Sequence, residues 1–316
     1  MTERTTACWI CLGEAPPDLP GGRYHRACVD ALFGVSDVPA VAFDRLTVTT
    51  WAEEHSGRLS ISGYQPKGPA ALDESGTRLV LVEKDSTHIV KPPHPQYLYI
   101  NENEHLTMRL ARAVGLDVAE HGLVELSDGS IAYVTKRFDR PAGAKGPRLH
   151  AFDFCQLAGK DPTNKEDSTA EECASIALQY GGPSTTIALF RLFVFADWVR
   201  NGDLHLKNLM MMEAPNGGYA LTPAYDLLCT EPYGSTGLML PVGGERKNVT
   251  RKIWLSFAEA YCQIERLKAA ELIDSMLERL PDALALVDRS AFPHAEWKNK
   301  YKHFLAKKTR HLAGKA

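Results

Sequence analysis

The stretch Asn201-Gly-Asp-Leu-His-Leu-Lys-Asn-Leu-Met-Met-Met212 sets the tightest limit on what this chain can fold into. An almost uninterrupted apolar run, Ile187 to Val199, precedes it, and a strand-like apolar run, Leu209 to Met212, follows it. Asp203 and Asn208 lie five apart in the short polar loop between them. At that spacing a carboxylate can accept a hydroxyl proton while an amide oxygen one loop-turn later holds a metal ion on phosphates. A second metal carboxylate is then expected at a neighbouring strand end, where Asp226 of Leu221-Thr-Pro-Ala-Tyr-Asp-Leu-Leu228 stands. The plainer reading is a polar hairpin loop with incidental Asp and Asn.

Bulk properties narrow the class. The chain has 316 residues, 44% hydrophobic and 24% charged, enough for a sizeable core in one two-lobed domain or two ordinary ones. Its formal net charge of −3 produces no global basic field, so direct nucleic-acid binding is not expected. No apolar run reaches the roughly 20 residues of a membrane span, and no charged segment followed by an apolar one marks a secretory leader. A cytoplasmic protein without a membrane partner is the expectation.

The seven cysteines are an odd count, and three of them cluster near the N-terminus. Cys8-Trp-Ile-Cys11 is followed, after thirteen intervening residues, by His25-Arg-Ala-Cys28. Two cysteines separated by two residues can present both thiolates to one ion, and His25 with Cys28 repeats the grip from a second turn or a helix start. Cys8, Cys11, His25 and Cys28 therefore predict a closed, structural Zn²⁺ site. The blander reading is reduced cysteines in a small apolar module.

Residues 58–100 read as β-rich, with strands at Leu79–Val82 and Thr87–Lys91, and a helix is predicted over Asn101–Val114 from the spacing of Leu106, Leu110 and Val114. Protein kinases carry a strand lysine that pairs with a glutamate of the next helix and holds ATP phosphates. Lys91 fits the lysine, and Glu104, ahead of Glu102, is the favoured partner. Acidic residues also favour a helix start through its dipole, which is the structural alternative. Strands at His121–Leu126 and Ile131–Arg137 follow, then the Pro/Gly-rich stretch Pro141–Pro147, near which a lobe boundary is expected. Beyond it the pattern is mostly helical: Ala151–Leu157, Ser168–Tyr180, Ile187–Val199, Lys252–Tyr261, Leu267–Leu280 and Trp297–Leu312.

Seven blocks in one order resemble the HipA-type serine/threonine kinases of bacterial toxin–antitoxin systems. They are Ser60-Ile-Ser-Gly-Tyr-Gln-Pro-Lys67, His88-Ile-Val-Lys-Pro92, Asn103-Glu-His105, Lys136-Arg-Phe-Asp-Arg140, His150-Ala-Phe-Asp-Phe-Cys-Gln156, Asp203-Leu-His-Leu-Lys-Asn208 and Leu221-Thr-Pro-Ala-Tyr-Asp226. The Ser-x-Ser spelling is closest to the short, HipT-like members. The resemblance implies an α+β, two-lobed protein-kinase-like fold. A Cys/His module and linker would fill 1–57, a β-rich N-lobe 58–140 and a mostly helical C-lobe 141–316. It implies Asp203 as catalytic base, Asn208 and Asp226 as Mg²⁺ ligands, and Lys91, oriented by Glu104, on the ATP phosphates. Further ATP contacts would come from Ser60, Ser62, Gly63, Gln65, Lys67, Arg137, Phe138, Asp139, His205 and Lys207. Ser60 and Ser62 match positions that the family autophosphorylates; a phosphate there would add about −1.5 to −2 charge where ATP places its own.

The family also implies an aminoacyl-tRNA synthetase as substrate with arrested translation as outcome, a HipB-like DNA-binding antitoxin and, for short members, a small HipS-like protein. Two other classes remain open. Aminoglycoside- and choline-type small-molecule kinases share an Asp-x-His-x-x-Asn loop, although the serine loop and Arg137-Phe-Asp-Arg140 do not suit them. A non-catalytic regulator would hold ATP or an antitoxin without turnover.

Overall fold

The computed structural model describes residues 7–14, 22–54, 65–141, 143–214 and 217–314. The chain makes two compact units: Met1–Arg109, Ala119–Arg148 and Asp288–Ala295 in the first, and Leu110–Val118, Leu149–Val287 and Glu296–Ala316 in the second. Both are discontinuous in sequence.

The first unit is built on a six-stranded sheet. In chain order its elements are α1 (Arg26–Phe33), β1 (Ala40–Val41), α2 (Arg45–Glu54), β2 (Gly68–Leu72), β3 (Arg78–Leu81), β4 (His88–Lys91), α3 (Ile100–Ala113, its last residues lying in the second unit), β5 (His121–Glu125) and β6 (Ile131–Lys136). The strand order is β1-β3-β2-β4-β6-β5, all neighbours antiparallel except the β1–β3 pair. Strand β4 is therefore internal, with Val90 opposite Gly68 of β2 and Val134 of β6. An internal strand buried on both faces is apolar in sequence, and Ile89-Val90 is; Lys91 breaks that run at the strand's end.

The N-terminal segment shares this core. Cys8, Trp9, Ile10, Val29, Leu32 and Phe33 pack with Val90, Leu123, Val124, Tyr133 and Val134 in one cluster. The approach is close enough to require glycine: a Cβ at Gly122 of β5 would stand 2.8 Å from Ile10 Cγ1 and 3.3 Å from the Trp9 carbonyl. Helix α1 starts at His25 and stops at Gly34, whose φ of 73° supplies the left-handed cap.

The second unit is mostly helical. Its strands β7 (Ala151–Asp153), β8 (Met210–Glu213) and β9 (Tyr219–Leu221) form an antiparallel sheet in the order β7-β8-β9. Its helices are α4 (Phe154–Leu157), α5 (Ala170–Trp198), α6 (Arg251–Tyr261), α7 (Arg266–Glu278), α8 (Leu280–Arg289) and α9 (Ala295–Leu312). The expected helix over Ala151–Leu157 is instead a strand followed by a single helical turn. Asp153 forces the change: its side chain accepts from Gln156 N while Gln156 reaches back to Asp153 N, a reciprocal cap that starts a helix only after the strand. The two predicted helices at 168–180 and 187–199 are halves of α5, which kinks at Gly182 (φ 73°, ψ −169°) ahead of Pro183. The predicted helix ending at Leu280 stops earlier, because Pro281 suits the first turn of a new helix, α8.

The C-terminal half of α5 is buried nearly all round, from Leu189 to Trp198. Within it Asp197 meets Lys308 of α9 at 2.6 Å and accepts from Trp254 Nε1 at 3.2 Å, while Trp198 Nε1 donates to Thr309. Both charged side chains are 2% exposed. Burial pushes the Asp197 carboxyl pKa up, against the opposing pull of Lys308. Among the described residues, no helix is long and apolar enough to cross a membrane.

Removing one member of such a pair strands the other charge out of water, which typically costs about 3–5 kcal/mol. Lys308→Ala should therefore lower the unfolding free energy by that amount in denaturant titrations. Lys308→Met combined with Asp197→Leu should recover most of the loss.

Candidate functional site

The first unit supplies a buried cation. Lys91, at the end of β4, reaches Glu104 of α3 with Nζ at 2.7 and 2.8 Å from the two carboxylate oxygens. The side chains are 7% and 2% exposed, and the ammonium also lies 5.5 Å from the centre of the Tyr133 ring. Glu104 is thus the partner, not Glu102. Glu102 is buried as well, and desolvation pushes its pKa up to about 7. The bend after Lys91 is held by Asn101, whose amide donates to the carbonyls of Lys91 and Ile131 at 3.1 and 2.9 Å. Gln65 joins the same corner, donating to Pro92 O and Asn101 Oδ1. Gln65 therefore ties the chain ahead of β2 to the end of the Lys91 strand. Ser60, Ser62 and Gly63 lie outside the described residues.

Arg137 and Asp139 bind each other through two contacts of 2.9 and 2.6 Å, and Arg137 also donates to Ser86. The buried Arg140 stands 3.6 Å from Asp139. Burial works to raise the Asp139 pKa, but the Arg137 hydrogen bonds and the charges of Arg137 and Arg140 prevail and hold it below the usual carboxylate range. These side chains pin the chain after β6, and Phe138 between them is half-buried. Sequence reading assigned Arg137, Phe138 and Asp139 to ATP; the Arg137 and Asp139 side chains are engaged with one another.

The second unit supplies carboxylates and an amide. After α5 the chain turns through Arg200 (φ 58°) into the loop. Asn201 is fully buried, its backbone bonded to Ala196 O, and its side-chain oxygen accepts from Asp203 N at 3.0 Å. Gly202 is enforced by space, since a Cβ there would lie 2.5 Å from Ser235 Oγ and 2.8 Å from Gly237 O. Asp203 is half-buried. Asn208 donates its amide hydrogen to Asp203 O at 2.9 Å, which directs the Nδ2 atom inward and fixes Oδ1 as the ligand-capable atom. Lys207 reaches Asp153 at 3.3 Å, and its carbonyl accepts from Tyr225 OH at 2.8 Å. The residues next to Asn208 and Asp226 are therefore bonded to each other. Burial raises the Tyr225 phenol well above its ordinary range, so it stays protonated as that donor. Asp226 itself is half-buried and takes a left-handed backbone, φ 56°. His205 is buried in the loop, its backbone N–H bonded to Asp203 O.

A metal-type cluster completes the list. The ligand atoms of Cys8, Cys11, His25 and Cys28 all lie within 4.8 Å of one another. His25 Nδ1 is 3.3 Å from Cys11 Sγ and 3.6 Å from Cys28 Sγ, near the roughly 3.5–4 Å edges that Zn–S and Zn–N bonds of about 2.3 and 2.0 Å give a tetrahedron. The other ring nitrogen donates to Glu14 O at 2.7 Å, which fixes the tautomer that turns the Nδ1 lone pair toward the sulfurs. Backbone amides of Ile10 and Gly13 donate to Cys8 Sγ and Cys11 Sγ. The donor set fits Zn²⁺.

Sequence reasoning overlooked Asn101, Gln156, Thr230 and Tyr225 as the residues that hold these groups. Thr230 Oγ1 accepts from Gly202 N and donates to carbonyls of Arg200 and Ser235, so it closes the loop from behind. Gln156 stands three residues from Asp153, a capping-box spacing, whereas no short spacing links Asn101, Thr230 and Tyr225 to the groups they serve.

Comparison with known proteins gives one consistent result. Residues 59–284 match the model of a protein family described as HipA-like C-terminal domain. A Haemophilus influenzae protein named for an inferred kinase activity is 31% identical over 219 residues, covering 65% of this chain and 63% of that protein. The serine/threonine-protein kinase toxin HipA of Shewanella oneidensis is 30% identical over 197 residues, 56% of this chain and 44% of its own. Among solved structures, HipA in the Shewanella oneidensis complex of HipA, HipB and operator DNA superposes with a TM-score of 0.67 at 24% identity, covering 81% of this chain and 65% of that one. The Helicobacter pylori proinflammatory kinase CtkA gives 0.57 at 14% identity, covering 78% and 91%. At these identities the two structures establish a shared fold. The chain spans 44–63% of the length of the curated relatives it matches.

Glu102 carries the pH prediction. A carboxyl whose folded pKa is raised stabilises the fold below its unfolded value near 4.5 and loses that contribution as pH rises through about 7. Glu102→Gln should therefore match wild type at pH 5 and be about 2–3 kcal/mol more stable at pH 8, measured by denaturant unfolding at both pH values.

Proposed function

The chain belongs to the HipA-like family, and on that premise we propose that it is an ATP- and Mg²⁺-dependent protein serine/threonine kinase. The observation that carries the reading is the buried Lys91–Glu104 pair. A desolvated ion pair is a poor source of stability compared with apolar packing of the same volume. Its place at a strand end, held in two-point contact, suits a lysine kept extended for phosphate oxygens.

In this reading Asp203 accepts the proton of a serine or threonine hydroxyl as its oxygen forms a bond to the γ-phosphorus and the bond to the ADP oxygen breaks. Asn208 Oδ1 and Asp226 would hold Mg²⁺, which supplies charge neutralisation on the phosphates. Lys91 neutralises the non-transferred phosphates, and Glu104 keeps it from collapsing onto other acceptors. The Asn201 and Thr230 contacts hold Asp203 in place before substrate arrives, so the reaction needs little reorganisation. Ser60 and Ser62 are autophosphorylation sites whose modification blocks ATP. Gln65, Lys67, His205 and Lys207 line the nucleotide's phosphates, with Phe138 beside the adenine. Cys8, Cys11, His25 and Cys28 hold a structural Zn²⁺. The substrate is an aminoacyl-tRNA synthetase and the cellular outcome is arrested translation. A HipB-like antitoxin is the regulatory partner, and a small HipS-like protein is the second partner that the family suggests. The relative solved with HipB and operator DNA supports that partner class.

Intact-mass spectrometry after incubation with Mg²⁺-ATP, on wild type beside Asp203→Ala, tests the reading. Wild type should gain phosphate mapping to Ser60 or Ser62, and Asp203→Ala should lose about 10²–10⁴-fold in rate. Phosphate on neither protein, with ATP bound by both, would sink the protein-kinase reading and favour a small-molecule phosphotransferase or a non-catalytic regulator.

A further inference from the structure

The two segments that carry the Cys/His cluster each end on one of the two elements that carry the Lys91–Glu104 pair. The Cys8–Cys11 turn presents the Ile10 carbonyl, which accepts from His105 Nε2 at 3.1 Å. His105 is the residue after Glu104 and is fully enclosed on α3. The His25–Cys28 segment opens α1, and the far end of α1 presents the Leu32 carbonyl, which accepts from His88 Nε2 at 2.9 Å. His88 begins β4, the strand that ends at Lys91. Both histidines are buried, and desolvation lowers each pKa to about 4, so both remain neutral donors near pH 7. The turn is further clamped to β5 by Leu123 N donating to Trp9 O at 2.9 Å, and Tyr24 OH donates to Leu123 O at 3.0 Å.

We infer that the Cys8/Cys11/His25/Cys28 zinc site is a positioning device that braces β4 against α3 and so sets the Lys91–Glu104 pair. One ion joins two arms, one arm reaching β4 through His88 and the other reaching α3 through His105. Without the ion, four electron-rich donors face one another with no shared cation. The two arms are then tied by Trp9 N donating to Arg23 O at 2.8 Å, by His25 Nε2 donating to Glu14 O and by packing, a looser joint that holds α3 less firmly against β4. A zinc site that merely helped the N-terminal segment to fold would need no polar contact to either element. Here each arm makes one, to a buried histidine of that element. The inference rests on reading Lys91 and Glu104 as the nucleotide-binding pair, so its test includes readouts that do not involve phosphate transfer.

The test uses the full chain purified with zinc present. Metal analysis should find about one equivalent of zinc. Hydrogen exchange followed by mass spectrometry, before and after treatment with excess chelator, should show about tenfold faster exchange in the 100–109 peptide while the 251–261 peptide keeps its protection. Nucleotide affinity should fall about tenfold in parallel. Because zinc removal can unfold the unit outright, His105→Leu provides the second arm. It should retain its zinc and its melting cooperativity yet reproduce the exchange and affinity changes, and His105→Gln, which restores a donor, should return both to within about twofold of wild type. Three results would each overturn the inference. One is purified protein well below one equivalent of zinc with the exchange pattern intact. Another is chelation that leaves the 100–109 peptide protected. The third is His105→Leu with wild-type exchange and affinity. Intact responses with no phosphate transferred would instead refute the kinase reading and leave the brace standing.

Discussion

An ammonium group taken out of water has to be met by a carboxylate, and the first unit is arranged around meeting that demand at Lys91. Strand β4 carries the lysine into the sheet because Ile89 and Val90 belong there. Helix α3 has to deliver Glu104 to the same point, which explains its odd composition. Asn101, Glu102, Asn103, Glu104, His105 and Thr107 are all buried, where an ordinary amphipathic helix would bury Leu and Val. Each such residue needs a partner, so the helix cannot slide by a turn without orphaning several groups at once. Polar burial gives α3 a defined register that apolar burial would leave adjustable.

That logic separates what was legible in the chain from what was not. The strands at 79–82, 87–91, 121–126 and 131–137 stand out because β-branched residues alternate between turn residues, a pattern set by nearest neighbours. Helix α3 was legible from Leu106 and Leu110 for the same reason. The Asp203–Asn208 loop could be marked because both groups fall within one short stretch. The strand β7 was not legible: Ala151-Phe-Asp153 is too short to show a period, and its extended form depends on β8, more than fifty residues away. Nor did the sequence reveal that α5 is one kinked helix, since Gly182-Pro183 reads equally well as a break. The buried supports, Thr230 behind Gly202 and Tyr225 on Lys207, are long-range contacts between residue types that occur everywhere. Nothing local distinguishes them.

The N-terminal segment shows how a short stretch without a core of its own acquires one. Its cysteines and His25 cluster together, while Trp9 and Ile10 between two of those cysteines, and Leu32 and Phe33 beyond the others, join the sheet's apolar cluster along with Cys8 itself. Gly122 marks the cost on the receiving side, because β5 gives up a side chain so that the turn can lie against its backbone. Polar and apolar attachment thus coincide within residues 8–33, and a change on either side is felt by both.

Asp226 has a different kind of consequence. Its backbone sits in the left-handed region, which glycine, asparagine and aspartate enter with little strain and other residues do not. Two of those three tolerated residues lack a carboxylate, and each is a single nucleotide change from an aspartate codon. A lineage carrying this loop can therefore discard the Asp226 carboxylate in one mutational step without disturbing the turn that presents it. Descendants that keep the fold but lack this carboxylate are, on this ground, a single step from the present sequence.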